Sequence, residues 1–357
     1  MDILVYGAGA VGGYLGGRLA QHGHQVTLIA RQVTADLINA NGLTITEAGA
    51  TVRTRPTAVT SIAQAFMGGR SYDLILLTMK AYDLAAAVDP LLAFASSTAT
   101  ILPVQNGIDV ERPLIEQFGP ARVVVGALTT PISKESGNSL IVERSDRGLA
   151  LAPAARGQNI KPWIQLMRQA GIPVKRVRDY EAMKWSKALL NIIGNATSAI
   201  LNRPPGVVYA STAVFDLEMR MLRETLAVMR ERRIRVVNLP GSPARSLARL
   251  LRWAPRFVLQ PIMQGRVARG RGDKMPSFYL DLAGGRGQSE VVYHNGAIAR
   301  AGEAAGVPTP VNAVLNDILL QLTHETVDWR EFDGQPGRLV QAVKAYARKM
   351  AAPDGPA

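Results

Sequence analysis

The sequence opens with an apolar run, Ile3-Leu4-Val5-Tyr6, that passes directly into Gly7-x-Gly9-x-x-Gly12. A small, apolar-patterned segment from Gly13 to His22 follows. This order of strand, glycine loop and helix constrains the fold more than any other stretch of the chain. Gly7 permits the tight turn, and Gly9 lets the backbone approach a pyrophosphate. Gly12 lets the helix pack close to the strand. Phosphates then rest on the N–H groups at the helix N-terminus. The spacing alone is a weak signal, and the bare alternative is a glycine-rich turn with no ligand. Its position between a strand and a helix predicts a dinucleotide-binding α/β domain.

The second predicted strand, 25–30, ends at Arg31. That is about 20 residues past the glycines, where this fold places its cofactor selector. A chain that selects NAD carries Asp or Glu there, to accept from the ribose 2′-hydroxyl. A guanidinium is always charged and suits a 2′-phosphate. The expected cofactor is NADP(H), with a solvated loop charge as the other reading of Arg31.

At 357 residues the chain is long enough for two domains. Residues 1–177 alternate short apolar strands with helical stretches, the pattern of a doubly wound parallel sheet of Rossmann type. The expected strands are 2–6, 25–30, 73–79, 99–104, 122–128, 148–152 and 173–177. Ligands of such sheets bind beyond the C-terminal strand ends, which singles out Lys80 and Gln105-Asn106-Gly107. Beyond residue 178 the pattern turns helical, with helices expected over 181–202, 211–235, 289–305 and 311–323. The expected division is a nucleotide-binding domain 1–177, an all-α domain 178–350 and a tail 351–357.

Composition narrows the class of protein. A hydrophobic fraction of 47% and a charged fraction of 19% fit a soluble globular chain. No apolar run is long enough to span a bilayer, and the first strand begins at residue 2 with no leader before it. The expectation is a cytoplasmic protein. The absence of cysteine excludes disulfides, thiolate catalysis and Cys-ligated zinc. The net charge of +13 is partly concentrated between Arg230 and Arg271. Without a zinc-finger, RNP or helix-turn-helix signature, it is read as an arginine-rich composition suited to an anionic cofactor and substrate, not as nucleic-acid binding.

The sharpest chemical signal lies in Trp185-Ser-Lys187-Ala-Leu-Leu-Asn191-Ile-Ile-Gly-Asn195-Ala-Thr-Ser198, which continues to Asn202. On one continuous helix, Lys187, Asn191, Asn195, Ser198 and Asn202 fall within about 80° of each other. A mostly apolar, buried helix carries such a stripe only if its polar groups are satisfied, either internally or by a polar ligand. A partly desolvated lysine can donate a proton near neutral pH, as ketone reduction requires. Lys184 also falls on the stripe by angle. Nearer the helix start and with fewer apolar neighbours, it reads as a solvated charge.

With these motifs assembled, the chain resembles the ketopantoate reductase (2-dehydropantoate 2-reductase) family, whose C-terminal domain is of the 6-phosphogluconate-dehydrogenase-like type. The resemblance covers about residues 1–325. It rests on Gly7-x-Gly9-x-x-Gly12, Arg31, Lys80, Gln105-Asn106-Gly107 and Trp185-x-Lys187-x-x-x-Asn191-x-x-x-Asn195. Pro276-Ser277 with Asp281, then Glu290, Asn295-Gly296 and Gly306-Val307-Pro308-Thr309-Pro310 complete it.

The resemblance implies roles. Lys187 becomes the general acid, and Glu290 the carboxylate that sets its protonation and position. Asn191 and Asn195 hold the pantoate hydroxyls, and Ser277 binds the substrate carboxylate. Asn106 borders nicotinamide and substrate, while Arg31 and Lys80 grip the 2′-phosphate. Ser277 also fits a helix cap after Pro276. The chain departs from the family at Lys274, where members often carry Asn, and in a longer, more basic stretch over 230–273. That stretch reads as an extra surface or dimer-contact helix, or as a basic amphipathic helix for a membrane surface or acidic partner. The implied function is NADPH-dependent reduction of 2-dehydropantoate to pantoate in pantothenate biosynthesis, without a metal, in a homodimer. The alternatives are reduction of another 2-oxo acid or opine-type imine, or a non-catalytic NADPH sensor.

Overall fold

The computed structural model describes residues 1–271 and 274–351. Apart from Ala351, the expected tail 351–357 lies outside them. Contacts divide the chain into two units, Met1–Lys184 with Val237–Pro243, and Trp185–Val236 with Ala244–Ala357.

Unit one contains strands β1 (Asp2–Tyr6), β2 (Gln25–Ile29), β3 (Leu43–Glu47), β4 (Ala50–Thr54), β5 (Thr57–Val59) and β6 (Leu74–Leu77). It continues with β7 (Thr100–Pro103), β8 (Val124–Leu128), β9 (Ile132–Ser136), β10 (Ser139–Val142), β11 (Leu149–Pro153) and β12 (Val174–Arg176). Its helices are α1 (Ala10–Gln21), α2 (Gln32–Asn41), α3 (Ile62–Ala65), α4 (Leu84–Phe94), α5 (Arg112–Phe118) and α6 (Lys161–Gln169). The central sheet has the order β5-β2-β1-β6-β7, with every pairing parallel. Its strands are near-continuous apolar runs, as a sheet covered on both faces requires. The order reverses at β1, and Tyr6 is in register with both Ile29 and Leu77. The residues that leave β1, β2, β6 and β7 therefore emerge along one sheet edge.

A second sheet, β4-β3-β10-β9, was not expected from the sequence. It covers α1, which explains a helix with four glycines despite their low helix propensity. Ideal Cβ atoms would lie 2.8 Å from Leu140 at Gly13 and 2.7 Å from Leu28 and Ile45 at Gly16 and Gly17. Side chains there would push the helix off both sheets. A third group pairs β8 antiparallel and β12 parallel to β11.

Unit two is helical. Helix α7 (Tyr180–Asn191) runs across the division between units. It is followed by α8 (Ala196–Leu201), α9 (Pro205–Ala210), α10 (Thr212–Glu231), α11 (Ala244–Trp253) and α12 (Arg256–Arg271). Then come α13 (Ser277–Ala283), α14 (Asn295–Ala304), α15 (Pro310–Thr323) and α16 (Pro336–Ala351). Helix α10 is the spine, burying Phe215, Met221, Leu222 and Val228. Two buried carboxylates on it serve other segments. Glu224 accepts from the Val311 and Asn312 N–H groups, capping α15. Burial raises its pKa, and these donors oppose the rise. Glu218 accepts from the Gly194 N–H, the Thr197 hydroxyl and the Tyr209 hydroxyl. The basic stretch forms α11 and α12. Ala244, Leu247 and Leu251 of α11 turn inward, while Trp253 and Phe257 are exposed.

Candidate active site

The expected nucleotide site of unit one is built from main chain. Gly7 has φ +108°, a conformation side chains avoid, and a Cβ there would meet the Met79 nitrogen at 2.6 Å. At Gly12 a Cβ would collide with the Gly7 carbonyl oxygen and the Thr78 hydroxyl. That hydroxyl donates to the Gly7 carbonyl at 2.8 Å and fixes the turn. Gly9 is different, because a Cβ there meets nothing within 4 Å. The start of α1 carries no side-chain cap. An open glycine in front of an uncapped helix N-terminus is the cradle a pyrophosphate fills, so these residues fit a dinucleotide.

Around this cradle, Arg31 is the N-cap residue of α2, just beyond β2. Lys80 follows β6 and begins a short 3-10 turn, Ala81–Asp83. Asn106 follows β7 and is exposed, although Gln105 and Gly107 on either side are buried. Sequence reading missed Lys134 on β9. Desolvation lowers its pKa, and the positive charge of Arg31 adds to that. Lys134 and Arg31 are thus close enough to repel one another.

The residues expected to meet a substrate lie on α7 and beyond. Residues 182–186, 188 and 189 are buried, whereas Lys187, Leu190 and Asn191 are half-buried. These three stand at the i, i+3, i+4 spacing of one helix face, so beyond its first two residues, Tyr180 and Glu181, α7 opens along the face that carries the lysine and the amide. The stripe does not continue as one helix. Gly194, at φ +57°, breaks it between Asn191 and Ala196, and Asn195 becomes the N-cap residue of α8. Glu218 receives the N–H that this break exposes.

The break turns Asn195 toward Ser277, 82 residues away. Asn195 Oδ1 accepts the Phe278 N–H at 3.2 Å, and its Nδ2 lies 3.4 Å from Ser277 Oγ. The helix cap of α13 is therefore supplied by Asn195, and the Ser277 hydroxyl makes no cap bond. Asn202 ends α8 in the left-handed conformation and donates to Asp333, a structural role. Glu290 is buried at the start of a 3-10 turn, Glu290–Tyr293, which Ser289 caps. The expected helix 289–305 thus begins as this turn and becomes α14 only at Asn295. Lys274 is exposed. A cavity of about 370 Å³ elsewhere in unit two, bordered by Asp281, Arg286 and His324, is lined by none of the expected site residues.

Lys184 corrects the sequence expectation. It is not solvated, being 2% exposed. Its Nζ lies 3.1 Å from Glu111 Oε2 and donates to the Gln105 carbonyl at 2.6 Å. Glu111 is equally buried and was also missed. Its position five residues past Asn106, among Ile108, Val110 and Leu114, was the available signal.

Two family models match the chain, ketopantoate reductase PanE/ApbA over residues 3–150 and its C-terminal counterpart over 179–323. The chain belongs to the ketopantoate reductase family. Among curated relatives of this family, the 2-dehydropantoate 2-reductase of Pyrococcus horikoshii is 27% identical over 320 residues, 88% of this chain and 95% of the relative. Among solved structures, a PanE/ApbA family ketopantoate reductase from Ralstonia eutropha JMP134 is 27% identical with a TM-score of 0.76. That match covers 91% of this chain and 99% of the other. A ternary structure of D-mandelate dehydrogenase with NADH and anilino(oxo)acetate shares the fold at a TM-score of 0.76 and 20% identity, covering 91% and 99% of the two chains. The ketopantoate reductase fold is thus common to enzymes with different names.

Proposed function

We propose that this member of the family reduces 2-dehydropantoate to pantoate with NADPH in pantothenate biosynthesis. The observation that carries the reading is the half-buried face of α7 with Lys187, Leu190 and Asn191, on a helix buried over 182–186 and at 188 and 189. NADPH supplies a hydride when bound. Gly7, Gly9, Gly12 and the start of α1 would hold its pyrophosphate. Arg31 and Lys80, joined by Lys134, would hold the 2′-phosphate, and Asn106 would border the nicotinamide. Lys187 gives its ammonium proton to the carbonyl oxygen that becomes the alcohol. Glu290 is the carboxylate that would position this lysine for the step. Asn191 and Asn195 orient the substrate hydroxyl, and Ser277 receives its carboxylate. Holding the reacting groups together replaces a bimolecular encounter with an oriented one. A homodimer in the cytoplasm completes the reading.

The test is NADPH oxidation with 2-dehydropantoate and a panel of other 2-oxo acids, with Lys187→Ala as control. Fast, lysine-dependent turnover of 2-dehydropantoate alone supports the reading. Lysine-dependent turnover of another acid only would move the substrate and keep the mechanism. Exposed Lys274, where family members often carry Asn, favours this second reading, as does the D-mandelate dehydrogenase with the same fold. NADPH binding without turnover would sink both and leave a sensor.

A further inference from the structure

We propose that Lys184 and Glu111 are positioning residues for Asn106, and this rests on the role given to Asn106 above. The lysine touches both flanks of the loop that presents the amide. On one side it donates to the main-chain carbonyl of Gln105, the residue before Asn106, at 2.6 Å. On the other it lies 3.1 Å from the carboxylate of Glu111, which begins α5. Both side chains are 2% exposed.

The loop between these ties holds two left-handed residues. Gly107 has φ +108°, and Asp109, which has a side chain, has φ +61°. Left-handed positions cost free energy outside glycine and persist where surrounding contacts over-determine them. The Gln105 side chain is buried, with Nε2 3.2 Å from Met79 Sδ. The flanks are thus locked while Asn106 between them is exposed.

Stability does not explain the choice of charged residues. A buried ion pair is often replaceable by apolar residues of similar volume at no loss, whereas removing one partner is strongly destabilising. What an apolar pair cannot do is donate to the Gln105 carbonyl. Nor does Lys184 compete with Lys187 as proton donor, since its ammonium is buried against acceptors that belong to the loop.

The experiment compares the wild-type chain with Lys184→Met/Glu111→Leu. The expected result is an unchanged Tm and NADPH affinity, with kcat/KM for the 2-oxo acid lowered roughly 30-fold, in keeping with the cost of a small misplacement. Asn106→Ala should then cost little more in that background, because the amide is already out of place. Hydrogen exchange at amides 106–111 should quicken by about tenfold or more, with the strands unaffected. Wild-type kcat/KM with unchanged exchange would overturn the proposal, and so would fully additive losses with Asn106→Ala. If the wild-type chain reduces no 2-oxo acid, the functional reading fails separately, and exchange alone still decides the clamp. Should the double variant not fold, Lys184→Leu/Glu111→Gln takes its place, which leaves no buried charge unpartnered. A lowered kcat/KM at wild-type Tm with quickened exchange at amides 106–111 upholds the clamp, and no loss with unchanged exchange overturns it.

Discussion

The start of α1 and the junction of α7 with α8 are both glycine-marked polar sites, but they are built from different material. At α1 the binding groups are main-chain N–H groups, and the glycines act by what they lack. Gly7 and Gly12 leave no room for a Cβ, while Gly9 leaves room for a ligand. At the α7–α8 junction Gly194 acts by breaking a helix, and side chains do the rest. Asn195 reaches Ser277 and Phe278, and Glu218 from α10 receives the exposed N–H. A site made of main chain depends on a few neighbouring residues. A site made of side chains depends on whichever remote segments pack there.

The largest effect should separate these two regions by function. Lys187→Ala is expected to lower kcat by about 10²–10⁴-fold and to leave the NADPH dissociation constant nearly unchanged in a fluorescence titration. A comparable loss of NADPH binding would mean that the two regions do not divide the labour. Next in size is a contrast within the glycine loop. Gly12→Ala should destabilise by roughly 1–3 kcal/mol, because the new methyl meets main chain and must displace it. Gly9→Ala should keep the wild-type Tm and lose dinucleotide affinity, since its methyl occupies only the open cradle. Thermal melts with and without NADPH read both, and a destabilised Gly9→Ala would break the distinction.

This contrast explains what could be read from the sequence. The glycine fingerprint, the parallel strands and the helical second half were legible, because each depends on local spacing and periodicity. The β4-β3-β10-β9 sheet was not, since its strands are short and half-exposed and its β3–β10 pairing spans 96 residues between Asn138 and Gly42. A single helix over 181–202 was expected because a lone glycine is tolerated in a helical pattern. The break appears only when Glu218 and Asn195 supply partners for the freed backbone. Lys184 was misread for the same reason. Its neighbours in sequence give no sign of Glu111, and burial of an ammonium cannot be inferred without its partner.

Asn195 gives a smaller, sharper test of the side-chain region. Asn195→Ala removes the cap on the Phe278 N–H and should cost about 1 kcal/mol, with a raised KM for the 2-oxo acid. Asn195→Asp keeps the accepting oxygen, so the melt should recover. The donor toward Ser277 is gone and a negative charge stands where a carboxylate substrate is expected, so KM should stay high. Recovery of KM together with Tm would confine Asn195 to a structural role and leave substrate contact to Asn191 and Ser277.

The smallest effect belongs to Lys134 and concerns pH. Its ammonium is held below the ordinary lysine pKa of 10.5 by desolvation and then by Arg31. Below that lowered pKa the amine is charged and attracts a 2′-phosphate, so NADPH affinity should be full there and weaken as pH rises through it. NADH has no such phosphate, and its affinity should stay flat through this limb. Lys134→Met should flatten the NADPH profile too, at a cost near neutral pH of roughly 1 kcal/mol, or about fivefold. Stability of the ligand-free chain should run the opposite way. Between the lowered folded pKa and the unfolded value, the unfolded chain binds the extra proton, so stability rises with pH in that window. Melts and titrations over the alkaline range should therefore slope in opposite directions, and Lys134→Met should remove both slopes. Parallel slopes, or an NADH profile that follows the NADPH one, would take the 2′-phosphate away from this lysine.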